Sequence, residues 1–202
     1  MSPRRKPRVL ITAGPTREYI DSVRYLSNDS SGKMGFALAT AAQRRGWQVT
    51  LVHGPVALPK PTGVRTVALI SAAQMLDTCQ QLWPKHDALI MAAAVADYTP
   101  AQPYHTKRKK TAEDITLKLR PTVDILATLA ANRRDDQVVI GFALEDMSPR
   151  RNAERKLHHK KLDAIVLNHP AAIGAKRSRL EVLQRGRPWQ ILPETTKARQ
   201  AL

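Results

Sequence analysis

Short apolar runs recur along this chain, and stretches with a helical apolar stripe separate most of them. That alternation restricts the fold more than any other feature. Residues 8–12 form a compact apolar run, and residues 48–52, 64–69 and 87–93 repeat the pattern. The run DALIMAA at 87–93 is apolar enough to be a central strand buried on both faces. Between the runs, residues 33–45 place Met34, Phe36, Ala37, Leu38, Ala41 and Ala42 on one wide stripe, and Gly46 follows as a C-terminal cap. Ser71 is placed to cap a second helix over 72–83. Strands joined by helices of this length predict a parallel sheet with right-handed crossovers.

The rhythm changes in the second half. Residues 95–112 form a long, polar, basic loop. DITLKL at 114–119 alternates as a half-exposed strand does, and 122–133 returns to a helical pattern. QVVIGFA (137–143) reads as a buried strand, 148–161 as a basic helix, and AIVL (164–167) as a further strand. Residues 179–192 read as a hairpin turning at 185–188. The fold expected is therefore α/β: a Rossmann-like, doubly wound, mostly parallel sheet with a small antiparallel addition. A basic tail at 1–7 precedes a single domain at 8–202.

Charge narrows the function. The 202 residues carry a formal net charge of +16, which points to anionic partners. Nucleic acid is one class. It predicts basic residues interleaved with aromatics, yet the chain has only three Trp, four Tyr and two Phe, and none lies in the basic helix. Cys79 is the only cysteine, so no disulfide and no cysteine-based metal site can form within the chain. It sits in an amphipathic helical pattern and reads as a packed position. The six histidines show no ligand spacing; His158 and His159 are adjacent and point to different sides of a helix. No stretch reaches the roughly 20 apolar residues of a membrane span. The basic N-terminus lacks the apolar core of a secretory signal, so a reducing cytoplasm is expected.

In an open parallel sheet, ligands bind beyond the carboxyl ends of the strands. Segments 13–17, 54–55, 94–98 and 143–145 all follow strands directly. Gly14 permits a tight turn and close backbone approach. The loop SNDSSGKMG opens a helix, and Ser31, Gly32 and Lys33 offer free N–H groups and a favourable dipole to a phosphate. A plain capped loop is the simpler reading of such a start. Asp97 follows the central strand, where a carboxylate can hold magnesium or a ribose hydroxyl; a turn or helix cap is the plainer alternative. Lys107, Lys109 and Lys110 can neutralise a polyphosphate, or form a solvated flap. Lys156 and Lys160 share one helix face. A dinucleotide oxidoreductase would show G-x-G-x-x-G after the first strand, and that motif is missing.

Taken together, the motifs resemble the phosphopantothenoylcysteine synthetase family, the ligase domain that many bacteria fuse behind a flavin-dependent decarboxylase in coenzyme A biosynthesis. The matching segments are ITAGPTRE (11–18), VRYLSNDSSGKMGFALA (23–39), VTLVHGPVALP (49–59), AAAVADY (92–98), KRKK (107–110), LKL with VDIL (117–119, 123–126), GFALE (141–145) and the pair Lys156 and Lys160. They keep family order across residues 8–168. The resemblance implies a two-step amide synthesis. Phosphopantothenate would be activated by CTP to an acyl-cytidylate with release of pyrophosphate, and L-cysteine would then displace CMP. CTP and magnesium are implied; an ATP-using version of the same ligase is the alternative, beside the nucleic-acid reading.

Carried over by position, Asn28 would hold the acyl-nucleotide with help from Arg24, and Lys107 would neutralise the triphosphate. Met91, Ala92 and Ala93 would contact the nucleotide through their backbone, with Asp97 and Phe142 completing its pocket. Val123, Asp124, Ile125 and Leu126 would lie against it, and Lys156 and Lys160 would bind phosphates. Gly14, Ser31, Gly32 and Lys33 would serve the phosphate of the pantothenate arm. The family implies a homodimer, with the 114–119 strand and the preceding flap as dimer elements. No flavin is expected in this chain, and a separate decarboxylase is expected as its pathway neighbour. Two departures stand out. The family's DPVR is DSVR here (21–24), and its F-x-S-x-N ending is replaced by IGAKRSRLEVL (173–183).

Overall fold

The computed structural model describes residues 5–169, 177–196 and 201. In chain order the strands and helices are β1 (Arg8–Ala13), β2 (Arg17–Tyr19), β3 (Tyr25–Ser27), α1 (Lys33–Arg44), β4 (Gln48–His53), β5 (Arg65–Ala68) and α2 (Ala72–Leu82). They continue with β6 (Ala88–Met91), β7 (Tyr98–Pro100), β8 (Leu119–Pro121), α3 (Ile125–Ala131), β9 (Val138–Leu144), α4 (Pro149–His159), β10 (Ala164–Asn168), β11 (Arg177–Gln184) and β12 (Gln190–Thr196). The main sheet has eight strands in the order β12-β11-β10-β9-β6-β1-β4-β5. From β10 to β5 every pairing is parallel, whereas β10–β11 and β11–β12 are antiparallel. Counted by their order along the chain, the parallel strands run 3-2-1-4-5-6, the Rossmann arrangement that the sequence pattern predicts.

β1 is the hub. Ile11 sits in register with Leu51 of β4 on one side and Ile90 of β6 on the other. Its side chains alternate between two cores. Val9, Ile11 and Ala13 pack with Phe36, Ala39 and Ala42 of α1 and with Val49 and Leu51 of β4. Leu10 faces the opposite way, into a larger core holding Met75 and Cys79 of α2, Leu129 of α3 and Leu157 of α4. Both faces of β1 are thus buried, so its sequence is a continuous apolar run rather than an alternating one.

Local chemistry sets the helix ends. The Ser71 hydroxyl accepts the Gln74 N–H at 3.2 Å while the Gln74 carboxamide accepts the Ser71 N–H at 3.1 Å, a reciprocal capping box. Trp83 closes α2 from beneath, fully buried, with its indole N–H donating to the Leu129 carbonyl at 3.0 Å. α1 begins at Gly32 in the left-handed conformation and is followed by Gly46 at φ 78°, as its C-terminal Gly suggests.

Two parts differ from the sequence expectation. The 114–119 segment is not a strand over its length: pairing begins only at Leu119, which bonds with β7 in a short antiparallel pair. The alternation in DITLKL is real, but no neighbouring strand lies beside its first residues, and a strand without a partner does not form. The 122–133 helix is also shorter, because Asp124 caps it and Ile125 is its first residue. The β2–β3 hairpin was not foreseen; three-residue strands are too short for a period to register. The antiparallel addition at 179–192 is present as β11 and β12, and it extends the main sheet. The first residues of the divergent 173–183 segment lie outside the described residues, and so does most of the basic tail.

Helix α1 lies unusually close to β1 at Gly35. A Cβ there would stand 2.5 Å from the Ala13 Cβ and 3.0 Å from the Thr12 carbonyl oxygen. Gly35→Ala is therefore expected to lower stability by about 1–3 kcal/mol through overpacking. Urea unfolding checks this as a lower midpoint with an unchanged slope.

Candidate active site

The strand order reverses between β1 and β6, and the crevice opens at their carboxyl ends. Four hydrogen bonds stitch the two exits together. The Thr12 hydroxyl accepts the Ala93 N–H at 3.2 Å, and the Thr16 hydroxyl accepts the Ala96 N–H at 2.9 Å. The Ala94 N–H donates to the Gly14 carbonyl at 2.9 Å, and the Thr16 N–H donates to the Ala94 carbonyl at 3.3 Å. Both threonines are fully buried. The 92–96 segment is thus held as a rigid ridge.

Two cavities share that ridge as part of their lining. The first, about 330 Å³, is lined by Asn28, Ser31, Gly32, Lys33 and the start of α1, with Ala92, Ala93, Phe142 and Asn168 opposite. The second, about 270 Å³, is lined by Met91, Ala93, Asp97, Val123, Asp124, Ile125, Leu126, Phe142 and Lys160. Ala93, Ala94, Val95 and Phe142 belong to both. Most of the residues singled out from the sequence therefore converge on one divided cleft. Gly14 lies behind it: a Cβ on Gly32 would come within 3.4 Å of the Gly14 Cα, so these glycines let the α1 start close down on the β1 exit. Asn28 stands at the ridge itself, its amide Nδ2 donating to the Ala94 carbonyl at 2.9 Å.

Arg24, Lys107 and Lys156 lie outside both cavities, whereas Lys160 lines the second. Lys107 is exposed on the arm between β7 and β8. Arg24 is bound to Asp21, with Nε 2.9 Å and Nη2 2.5 Å from Oδ2. The Lys156 ammonium sits 2.5 Å from Glu145 Oε1, and the Lys160 ammonium 2.7 Å from Asp124 Oδ2. The two lysines thus have carboxylate partners, a pairing that the motif alone does not disclose. Burial opposes the charge on Asp124, but the donors Lys160 and Ala127 N–H outweigh it and hold its carboxyl below the usual range. The Arg24 guanidinium, with backbone N–H groups, holds Asp21 well below that range. Burial pushes the Cys79 thiol up to about 12, which removes it as a nucleophile. Among the described residues, no group of three or more His, Cys, Asp or Glu side chains is placed to hold a metal.

Thr12, Thr16 and Asn168 were missed in the sequence. Nothing in a buried threonine marks it as a backbone acceptor. Asn168 closes β10, a parallel strand, and so follows from the rule that ligands bind at strand carboxyl ends; Asp97 lies six residues past the end of β6.

With this geometry in hand, the family follows. A model of the DNA/pantothenate metabolism flavoprotein C-terminal domain matches residues 5–202. This chain belongs to that family. The family domain here is 45% identical over 168 residues to the coenzyme A biosynthesis bifunctional protein CoaBC of Vibrio vulnificus strain YJ016, a stretch covering 82% of this chain and 42% of that protein. The chain therefore spans about two fifths of that relative's length. The crystal structure of the C-terminal domain of a coenzyme A biosynthesis bifunctional protein CoaBC superimposes with a TM-score of 0.84 at 39% identity, covering 96% of this chain and 90% of that one. A Cab2 H337A mutant in complex with phosphopantothenate-cysteine shares the fold at 17% identity, with a TM-score of 0.74 and coverage of 93% and 80%. No described helix of this family domain is long and apolar enough to cross a membrane.

The ridge is open to a direct test. Thr16→Val keeps the shape and leaves the buried Ala96 N–H without an acceptor, so stability is expected to fall by about 1–3 kcal/mol. Hydrogen exchange at the Ala96 amide should accelerate more than at amides in β4.

Proposed function

We propose that this chain is a phosphopantothenate–cysteine ligase of coenzyme A biosynthesis, one ligase domain that uses CTP. The observation that carries the reading is the divided cleft. Two cavities share one rigid wall, and Asn28 stands on that wall. A reaction joining two bound molecules needs adjoining sites with a common boundary where the reacting atoms meet. The domain-wide likeness to a CoaBC C-terminal domain, and the phosphopantothenate-cysteine complex of a protein with this fold, support the same assignment.

In this reading the first cavity takes phosphopantothenate, with its phosphate at the N-terminal end of α1, near Ser31, Gly32 and Lys33. The second takes the nucleotide, between the ridge, residues Val123 to Leu126, and Phe142. The carboxylate of phosphopantothenate attacks the α-phosphate of CTP across the ridge. The bond to pyrophosphate breaks, and an acyl-cytidylate forms. The amine of L-cysteine then attacks the activated carbonyl, the bond to CMP breaks, and the amine proton leaves. A carboxylate alone is a poor acyl donor because its leaving group is oxide; CMP is a far better one.

Charge accumulates on phosphate oxygens in the first step, and fixed cations stabilise it. Lys107 on the arm supplies one. Lys160 supplies another by exchanging Asp124 for a phosphate, whereas Lys156 stays against Glu145, whose side chain is only 14% exposed. Magnesium would accompany the triphosphate and neutralise its charge, and Asp97 at the second cavity would offer it a protein carboxylate. Asn28 holds the acyl-cytidylate from its anchored position at Ala94. The 101–118 arm, with its exposed aromatic and aliphatic side chains, is the element that a second copy of the chain would meet in a homodimer.

Purified protein given phosphopantothenate, L-cysteine, CTP and magnesium is expected to release pyrophosphate. Lys107→Gln should lower turnover by roughly a hundredfold or more. Asn28→Asp cannot donate to the Ala94 carbonyl and should accumulate acyl-cytidylate, detectable by mass spectrometry after acid quench. Absence of pyrophosphate with both CTP and ATP would overturn the assignment.

A further inference from the structure

The arm between β7 and β8 carries four consecutive basic residues, Lys107 to Lys110, and springs from a short two-stranded antiparallel stem. Thr122 N–H donates to the Asp97 carbonyl at 2.9 Å and Ala101 N–H to the Lys118 carbonyl at 2.9 Å, which fixes the stem beside the second cavity. Beyond the stem an arm of this length and charge has little reason to hold one position, because its cations repel one another. Yet it is gripped, and chiefly at one point.

That point is Arg108. Its N–H donates to Asp21 Oδ2 at 3.2 Å, and its carbonyl accepts from Arg24 Nη2 at 2.7 Å. One ion pair thus takes both hydrogen-bonding groups of a single residue. The pair is itself built rigidly. Asp21 Oδ1 accepts the N–H groups of Val23 at 2.9 Å and Arg24 at 2.8 Å, which closes the β2–β3 turn. Oδ2 accepts Arg24 Nε and Nη2 along with the Arg108 N–H. The Asp21 side chain is wholly buried while that of Arg24 is 45% exposed. A buried carboxylate is tolerated only when its acceptor sites are filled, and two of these donors come from elsewhere: the guanidinium and the arm. A second contact lies beside the first, where Tyr104 N–H donates to the Ile20 carbonyl at 2.8 Å and the Arg108 guanidinium lies over the Tyr104 ring.

We propose that Asp21 and Arg24 form a clasp that fixes the 101–118 arm at Arg108 and so sets the position of the neighbouring Lys107. Arg24 is then a positioning residue. Its guanidinium is committed to Asp21 and to the arm's backbone, and it acts on the reaction through Lys107. This deepens the ligase reading and rests on it for the role of Lys107, but the clasp itself is a statement about the arm. A lysine cannot replace Arg24, because a single ammonium lacks the fork that reaches Asp21 and the Arg108 carbonyl together.

The test is limited trypsin digestion of the full chain, with the sites of cleavage read by mass spectrometry. Lys107 to Lys110 are natural trypsin sites. In Arg24→Gln and Arg24→Lys, cleavage within 107–110 is expected to accelerate about tenfold, the equivalent of one charge-assisted hydrogen bond. Cleavage within α4, at Arg151 and Arg155, should stay at the wild-type rate and reports on global unfolding. Asp21→Asn should behave alike; should it unfold the protein, cleavage rises everywhere and the Arg24 variants decide, since that side chain is half exposed. In the pyrophosphate assay the Arg24 variants should lose kcat with little change in KM for phosphopantothenate, and Arg24→Lys should not restore turnover. Wild-type cleavage rates within 107–110 in both Arg24 variants overturn the clasp, as does full recovery of turnover by Arg24→Lys. If the wild-type protein shows no ligase turnover at all, the ligase reading fails while the digestion still decides the clasp.

Discussion

Two buried hydroxyls hold the site together. Thr12 and Thr16 lie on either side of the β1 exit, and each accepts a backbone N–H from the segment that leaves β6. Parallel strands have no hydrogen bonds to offer once they part at a switch point, so the diverging backbones need other partners. Here side-chain oxygens take that role. With them, the Gly14 and Ala94 backbones pair as though the sheet continued past its edge, and an isolated bridge joins Pro15 to Ala94. Remove this stitching and 92–96 becomes an ordinary loop. With it, the segment is a wall firm enough to separate two cavities, and the carbonyl of Ala94 can carry Asn28.

Glycine supports the same wall from the other direction. Gly54 follows β4 where a Cβ would fall 1.6 Å from the Pro15 carbonyl oxygen. The 14–16 turn is therefore pressed against β4 while its other edge bonds to the β6 exit. The β1 exit is confined on both sides, and the start of α1 comes down on it through Gly32. A helix start is a common feature. What distinguishes this one is that it lines a cavity whose other lining is fixed to the same turn.

The fold was readable because parallel strands buried on both faces announce themselves as apolar runs, and Val9–Leu10–Ile11 or Ala88–Leu89–Ile90 have no other economical use. Ser71 with Gln74 announced a helix start for an equally local reason. What escaped was non-local. DITLKL has a strand's alternation, but alternation records only which residues prefer burial, and no strand lies beside its first residues to receive their hydrogen bonds. The hairpin of β2 and β3 escaped for the opposite cause: its residues are held by partners such as the Glu18 carboxylate, which accepts the Ala72 N–H at the start of α2, and these partners are far away in the chain. The candidate site behaved likewise. Motifs named residues that do line the cleft, while the acceptors that fix the cleft's shape carry no motif.

The same division explains the cations. Sequence reasoning sees Lys156, Lys160 and Arg24 as positive charges awaiting phosphate. In the structure each stands against a carboxylate, Glu145, Asp124 and Asp21, and the three pairs differ in kind. Lys160 and Asp124 share the rim of a cavity, and the pair leaves Asp124 half exposed, so its loss releases a carboxylate that water can solvate. A partly solvated pair of this sort contributes about 1 kcal/mol or less, and in the proposed reaction a triphosphate bearing several charges would outcompete a single carboxylate. Arg24 cannot be exchanged in this way. Asp21 is wholly buried, and taking its guanidinium would strand a charge out of reach of water. Exchangeable cations therefore sit where the partner carboxylate can return to solvent, and fixed ones where it cannot. By that criterion Lys160 would pass to the ligand in the proposed reaction, while Arg24 stays with the architecture that would present Lys107.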